Sequence, residues 1–174
     1  MQLYRELRVI TARPDDAALA RAPHRLYGVL PASERCSAGR WVALALAEIA
    51  EALARGRLPI VVGGTGLYLR ALMTGLSRIP PVAAMYRDAA EQRFQTLGAA
   101  AFHDELVDID PIAARRLSPN DRQRMVRARE VFDATGRTLS DWQREPPEQA
   151  GQGHEFATVL LTPSRGDLYA AIDA

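Results

Sequence analysis

Apolar residues recur at helical spacing through Trp41, Leu44, Ala45, Ile49, Ala52 and Leu53, which places them on one face of a helix. Ser37 stands where an N-cap belongs and Gly56 where that helix should stop. Other stretches follow a different rule. Arg25-Leu26-Tyr27-Gly28-Val29-Leu30, halted by Pro31, predicts a short strand, and Leu58-Pro59-Ile60-Val61-Val62 predicts one buried on both faces. The second run passes at once into Gly63-Gly64-Thr65-Gly66 and a helical pattern to about Met73, so strand, glycine turn and helix follow one another. Phe156-Ala157-Thr158-Val159-Leu160-Leu161 predicts a third strand. Between them, residues 82–144 show helices and caps but no strand. Asp110-Pro111 opens a short helix, Ser118-Pro119-Asn120-Asp121 caps another that Gly136 ends, and Thr138 caps a last one. Asp15 and Asp16 open one or two turns near the start, residues 145–153 form a polar Pro/Gly linker, and Leu168, Tyr169 and Ile172 begin a final helical stripe. The alternation predicts an α/β class with a largely parallel sheet: a core over residues 1–80, a helical insertion lobe over 81–150 and a return to the core over 151–174.

Composition narrows the chemistry more than the fold. The 174 residues carry 22 basic and 21 acidic side chains, a net charge of +1, which excludes a polyanion-coating protein and a disordered acidic tail. Every basic residue is arginine. A Gly-Lys-Thr phosphate loop, a Schiff-base lysine and a lysine general base are therefore excluded from this chain, and anion chemistry falls to arginine or backbone N–H groups. Cys36 stands alone and the three histidines (His24, His103 and His154) are scattered, so neither an intrachain disulfide nor a metal site is expected. These features suit a reducing cytoplasm. With no apolar run of about 18 residues and no signal-peptide pattern at the start, no membrane partner is expected.

Two places could carry function. The turn over residues 63–66 combines glycines that let a ligand approach the backbone, the Thr65 hydroxyl, and a helix N-terminus that favours oxygen anions. The same pattern also serves as a packing turn. Arg115, Arg116, Arg122, Arg124, Arg127 and Arg129 crowd a short span whose one acid is Asp121. On a helix from Asp121, Met125, Ala128 and Phe132 form the buried stripe while Arg124 and Arg127 share a flank and Arg129 lies elsewhere. Such a flank is either a solvated face or an electrostatic footprint for phosphate. His24 reads as a structural histidine, Trp41 and Trp142 as core residues, and Cys36 has no base nearby.

Taken in order, Gln2-Leu3-Tyr4-Arg5, Thr11-Ala12-Arg13-Pro14, Pro23-His24, Val62-Gly63-Gly64-Thr65-Gly66-Leu67-Tyr68, Ser118-Pro119-Asn120-Asp121-Arg122-Gln123-Arg124 with Arg127, and Pro163-Ser164-Arg165 resemble the bacterial tRNA dimethylallyltransferases. The resemblance covers essentially the whole chain. It implies a P-loop-kinase-like sheet core with a helical insertion, and transfer of a dimethylallyl group from dimethylallyl diphosphate to N6 of adenosine 37, beside the anticodon, in tRNAs that read codons beginning with U. It implies Thr65 as the catalytic-channel residue, and Gln2, Arg87, Gln123, Arg124, Met125, Val126 and Arg127 as tRNA contacts. Arg87 rests on the resemblance alone. Further implied are Mg2+, the family's ATP and nucleotide-binding label, a tRNA anticodon stem-loop as partner, base flipping of the target adenine, and a monomeric, cytoplasmic protein. The family's Gly-Pro-Thr-Ala-Ser-Gly-Lys-Thr loop and the Asp-Ser pair before the position of Met1-Gln2 have no counterpart here, and the family pattern runs on past residue 174. The expectation is an internal piece without its diphosphate cradle, whose activity alone is open. A catalytically inert RNA-binding module and a relative of the small-molecule P-loop kinases are the alternatives.

Overall fold

The computed structural model describes residues 1–147 and 153–173; residues 148–152 of the expected linker lie outside the described residues. Among the described residues eight helices follow in chain order: α1 (Asp16–Arg21), α2 (Ala38–Ala54), α3 (Gly66–Thr74), α4 (Ala84–Ile109), α5 (Pro111–Arg116), α6 (Arg122–Thr135), α7 (Leu139–Arg144) and α8 (Arg165–Asp173). Their starts are set by short-range chemistry. Asp15, Ser37, Asp110, Asp121 and Thr138 each accept a backbone N–H in the first turn on a side-chain oxygen, satisfying a donor the helix itself leaves free. Gly136, at φ 69°, ends α6 in the left-handed conformation that costs glycine least.

Two apolar clusters organise the helices. In the first, Val42, Ala45 and Ile49 of α2 meet Ala71 and Leu72 of α3, with Trp41, Leu26 and Phe156 packed at its edge. The second joins Phe102 and Leu106 of α4, Ala114 of α5, and Met125, Val126 and Ala128 of α6. Within α4, Gly98 adopts φ 76° and ψ 171°, and the chain reverses there. A straight helix would separate residues 93 and 105 by about 18 Å along its axis. Instead Arg93 Nε reaches Glu105 Oε2 at 2.6 Å, and the Phe94 and Phe102 rings meet edge to face at 5.2 Å. This element is a helical hairpin whose turn needs a residue tolerant of positive φ. Asp110, 2% exposed, ties it to its neighbours by accepting Ala113 N–H at 2.9 Å and Ser140 N–H at 3.0 Å.

The expected sheet is not assembled among the described residues. Among the described residues there is no strand ladder, only an isolated parallel bridge between Tyr4 and Leu30, flanked by Arg5 N–H to Leu30 O and Leu30 N–H to Leu3 O, both at 2.9 Å. The run 25–30 thus finds the beginning of a parallel partner in residues 3–5. Residues 58–62 and 156–161 find none, and Leu58, Ile60, Val62, Val159, Leu160 and Leu161 stand exposed. Their composition suits a buried strand, but a parallel strand exists only where a neighbour completes its hydrogen bonds.

Candidate functional site

Residues 63–66 link the extended run 58–62 to α3. Thr65 takes the N-cap position, yet unlike the five side-chain caps its hydroxyl makes no cap bond, and the residue is exposed. A hydrogen-bonding group the helix leaves unused is available to a ligand. A Cβ added at Gly63, Gly64 or Gly66 would meet no atom within 4 Å, and none of the three has positive φ. Neither close packing nor left-handed backbone calls for glycine here, so the packing-turn reading loses its support among the described residues. What glycine adds is open approach to the backbone.

That turn borders a cavity of about 1120 Å³, which also takes in Gln2, Trp41, Tyr27 and Tyr68. Gln2 and Thr65 are therefore brought to one space. Gln2 is anchored twice: its carbonyl accepts Gly28 N–H and its side-chain Nε2 donates to Thr11 O, each at 2.9 Å. Gly28 has φ +64°, and a Cβ there would lie 2.1 Å from Arg13 Nη1, whose guanidinium holds the carbonyls of Tyr4 and Arg5. Tyr68 stacks on Trp41 at 5.2 Å and donates its hydroxyl to Cys36 O at 2.9 Å. Burial pushes the Tyr68 phenol up from its ordinary value, so it stays a protonated donor at neutral pH.

Of the arginine span, the four on α6 are neutralised, whereas Arg115 donates to Pro111 O and Arg116 to Gln143 Oε1, both on neutral groups. Arg122 pairs with Glu91 and lies 5.6 Å from the Phe94 ring centroid; Arg124 pairs with Asp121 at 2.9 Å; Arg127 with Glu130 at 2.5 Å; Arg129 with Glu105 at 3.1 Å and Asp133 at 2.8 Å. Hydrogen bonding and charge from Arg93, aided by Arg129, hold the Glu105 carboxyl below its ordinary range against the opposing effect of burial. The patch is thus an ion-pair network rather than bare positive charge. Within it Arg124 is the most open, its side chain 74% exposed, and Arg127 is half-exposed over a Glu130 carboxylate that is 3% exposed. Met125 and Val126 lie in the core at 0% and 1% exposure, so the expectation that they touch tRNA is corrected for their side chains, which hold α6 in place instead. Arg87 near the start of α4, 3.9 Å from Glu91, and Gln123 share a smaller cleft of about 370 Å³. No spacing marks Arg87 in the sequence; its meeting with Gln123 is a property of how α4 and α6 pack. His24 and His103 have structural partners, Nδ1 at 2.9 Å from Ala22 O and Nε2 at 3.0 Å from Ala114 O. Among the described residues no three His, Cys, Asp or Glu side chains come together to hold a metal ion.

Residues 2–174 match the family described as IPP transferase. The chain belongs to that family. It is similar to the tRNA dimethylallyltransferase of Nitrobacter hamburgensis, 51% identical over 174 residues and covering all of this chain and 55% of the relative. It is also similar to that of Rhodospirillum centenum, 54% identical over the same length and coverage. The chain thus spans about 55% of the length of these curated relatives. Among solved structures, it resembles a eukaryotic dimethylallyltransferase acting on tRNA with a TM-score of 0.67 and 26% identity, over 84% of this chain and 36% of that one. No helix among the described residues is long and apolar enough to cross a membrane.

Proposed function

We propose that this family member modifies tRNA, transferring a dimethylallyl group from dimethylallyl diphosphate to N6 of adenosine 37 in tRNAs that read codons beginning with U. In the transfer the allylic C–O bond breaks, the N6–C bond forms, diphosphate leaves and N6 gives up a proton. What carries the reading is the whole-chain family match together with a free Thr65 hydroxyl and Gln2 on one cavity. In it Thr65 touches the reacting groups and Gln2 holds the flipped adenine, while Arg87, Gln123, Arg124 and Arg127 hold the anticodon stem-loop. The exposed runs 58–62 and 156–161 are read as strands of a P-loop-kinase-like sheet, and the protein as a cytoplasmic monomer. Magnesium, which the family resemblance implies, would offset the charge of the diphosphate.

Mass spectrometry of tRNA from cells whose only source of the activity is the gene carrying this chain tests the reading. N6-dimethylallyl adenosine at position 37 is the expected result; tRNA bound but unmodified would point to an inert RNA-binding module and overturn it. Thr65→Ala in the active protein should lower kcat by about tenfold, equivalent to one lost hydrogen bond at the reacting centre. Because the hydroxyl makes no cap bond, the thermal midpoint should not move. Affinity for tRNA should hold as well, and unchanged kcat would return the turn to a structural role.

A further inference from the structure

We propose that the cleft between the loop entering α2 and the first turn of α4 grips an RNA phosphodiester, with Arg35 as its principal cation. The proposal rests on the tRNA reading above and extends it to a residue outside every motif of the resemblance. Tyr4, Arg35, Cys36, Ser37, Arg87 and Gln123 line this space of about 370 Å³. Two guanidiniums, hydroxyls and an amide surround it, and no acidic side chain does. In a chain of net charge +1 whose α6 arginines all have carboxylate partners, the cleft pairs one uncommitted guanidinium with a second that is only loosely held. Arg35 has no carboxylate within 4.0 Å among the described residues. Arg87 is held loosely, 3.9 Å from Glu91, whose other oxygen Arg122 occupies at closer range. Glu34, the nearest acid in sequence, is committed to Arg40 at 2.7 Å.

The cleft is also preorganised. Tyr4 Oη accepts Cys36 N–H at 3.2 Å, Tyr68 Oη donates to Cys36 O at 2.9 Å, and Arg40 Nη1 donates to Arg35 O at 3.4 Å. The backbone carrying Arg35 is therefore fixed by two aromatic side chains before any ligand arrives, which lowers the ordering cost of binding. Ser37 Oγ accepts Arg40 N–H at 3.1 Å on one lone pair and keeps its own proton free to donate. A planar guanidinium fork beside hydroxyl and amide donors matches the oxygens of a phosphodiester. Because α2 belongs to one apolar cluster and α4 with α6 to the other, a strand lying in the cleft would touch both.

Fluorescence anisotropy of an anticodon stem-loop RNA, titrated with the protein over a series of KCl concentrations, tests this. Arg35→Gln should weaken binding about tenfold and make the salt dependence shallower by about one phosphate contact, whereas Arg35→Lys should restore most of the slope. Arg21→Gln, at the exposed end of α1, should change neither quantity. Equal affinity and slope for Arg35→Gln and the parent would overturn the cleft proposal while leaving the tRNA reading standing. An RNA that the parent fails to bind would overturn both. Arg35→Gln that loses binding of inorganic diphosphate yet keeps RNA binding would reassign the cleft to the small substrate and also overturn the proposal.

Discussion

Asp110→Ala is expected to lower stability by about 2–4 kcal/mol, combining a lost helix cap with a backbone donor left unsatisfied in the interior. The carboxylate is 2% exposed and makes two separate closures, Ala113 N–H of α5 through Oδ1 and Ser140 N–H of α7 through Oδ2. Alanine restores neither, and Ser140, 4% exposed, has no solvent to turn to. In a chain of this length the change corresponds to a fall in melting temperature of roughly 10 °C, readable by circular dichroism. The pH dependence follows. Burial alone would raise the Asp110 carboxyl, but the bonds from Ala113 and Ser140, with the charge of Arg116, outweigh it and hold the group below its ordinary value. A depressed carboxylate contributes stability fully above the unfolded value of about 3.9 and loses it as pH falls through the lower folded value. The advantage of the parent over Asp110→Asn should therefore be constant from neutrality to about pH 5 and shrink in stronger acid. An advantage that grew on acidification would show that the carboxylate is not the form that binds.

Helix boundaries were legible in the sequence because capping is a matter of three or four neighbouring residues. Ser37, Asp110, Asp121, Thr138 and Gly136 each perform the role their position suggested. The reversal at Gly98 was not: helical pattern continues on both sides, and a single glycine inside such a pattern is usually tolerated without a turn. The sheet is a related case. The run 58–62 has the composition of a buried strand, but whether it pairs depends on a neighbour elsewhere, and among the described residues only 25–30 meets one. At the site, the turn singles out Thr65 in the sequence, but that its hydroxyl makes no cap bond is visible only in the structure. The pairing of the arginine span was not legible, because a window of sequence counts Asp121 and overlooks Glu91 and Glu105, which the α4 hairpin delivers to the same surface. Arg35 carries no signal in one dimension. Its meaning comes from an acid-free wall assembled by residues far apart in the chain.

Arg124 and Arg127 together are expected to account for about two phosphate contacts in the salt dependence of tRNA binding, but the two must be probed differently. Arg124 makes a surface pair with Asp121, whose carboxylate also caps α6, and such exposed pairs contribute about 0–1 kcal/mol. A phosphate can take over that guanidinium at little cost. Arg124→Gln should accordingly leave the melting temperature unchanged and reduce the salt slope by about one. Arg127 is different. Its partner Glu130 is 2% exposed, with Oε2 already unpartnered, so Arg127→Ala would strand a buried carboxylate and destabilise the helix by about 2–3 kcal/mol. Weak RNA binding by that variant would report a damaged fold. Changing both partners, Arg127→Gln with Glu130→Gln, removes the charge on each side and keeps a hydrogen-bonding pair. Combined with Arg124→Gln it should weaken binding of the anticodon stem-loop by one to two orders of magnitude and flatten the slope by about two, with stability close to the parent's. Preference among tRNA sequences should change little, because phosphate contacts position the RNA and do not read its bases. Arg129 is unsuited as a control: it is 19% exposed and bound to both Glu105 and Asp133, so its loss would disturb the α4–α6 packing directly. A folded triple variant with the parent's affinity and slope would show that α6 presents a solvated face, and that tRNA is held elsewhere.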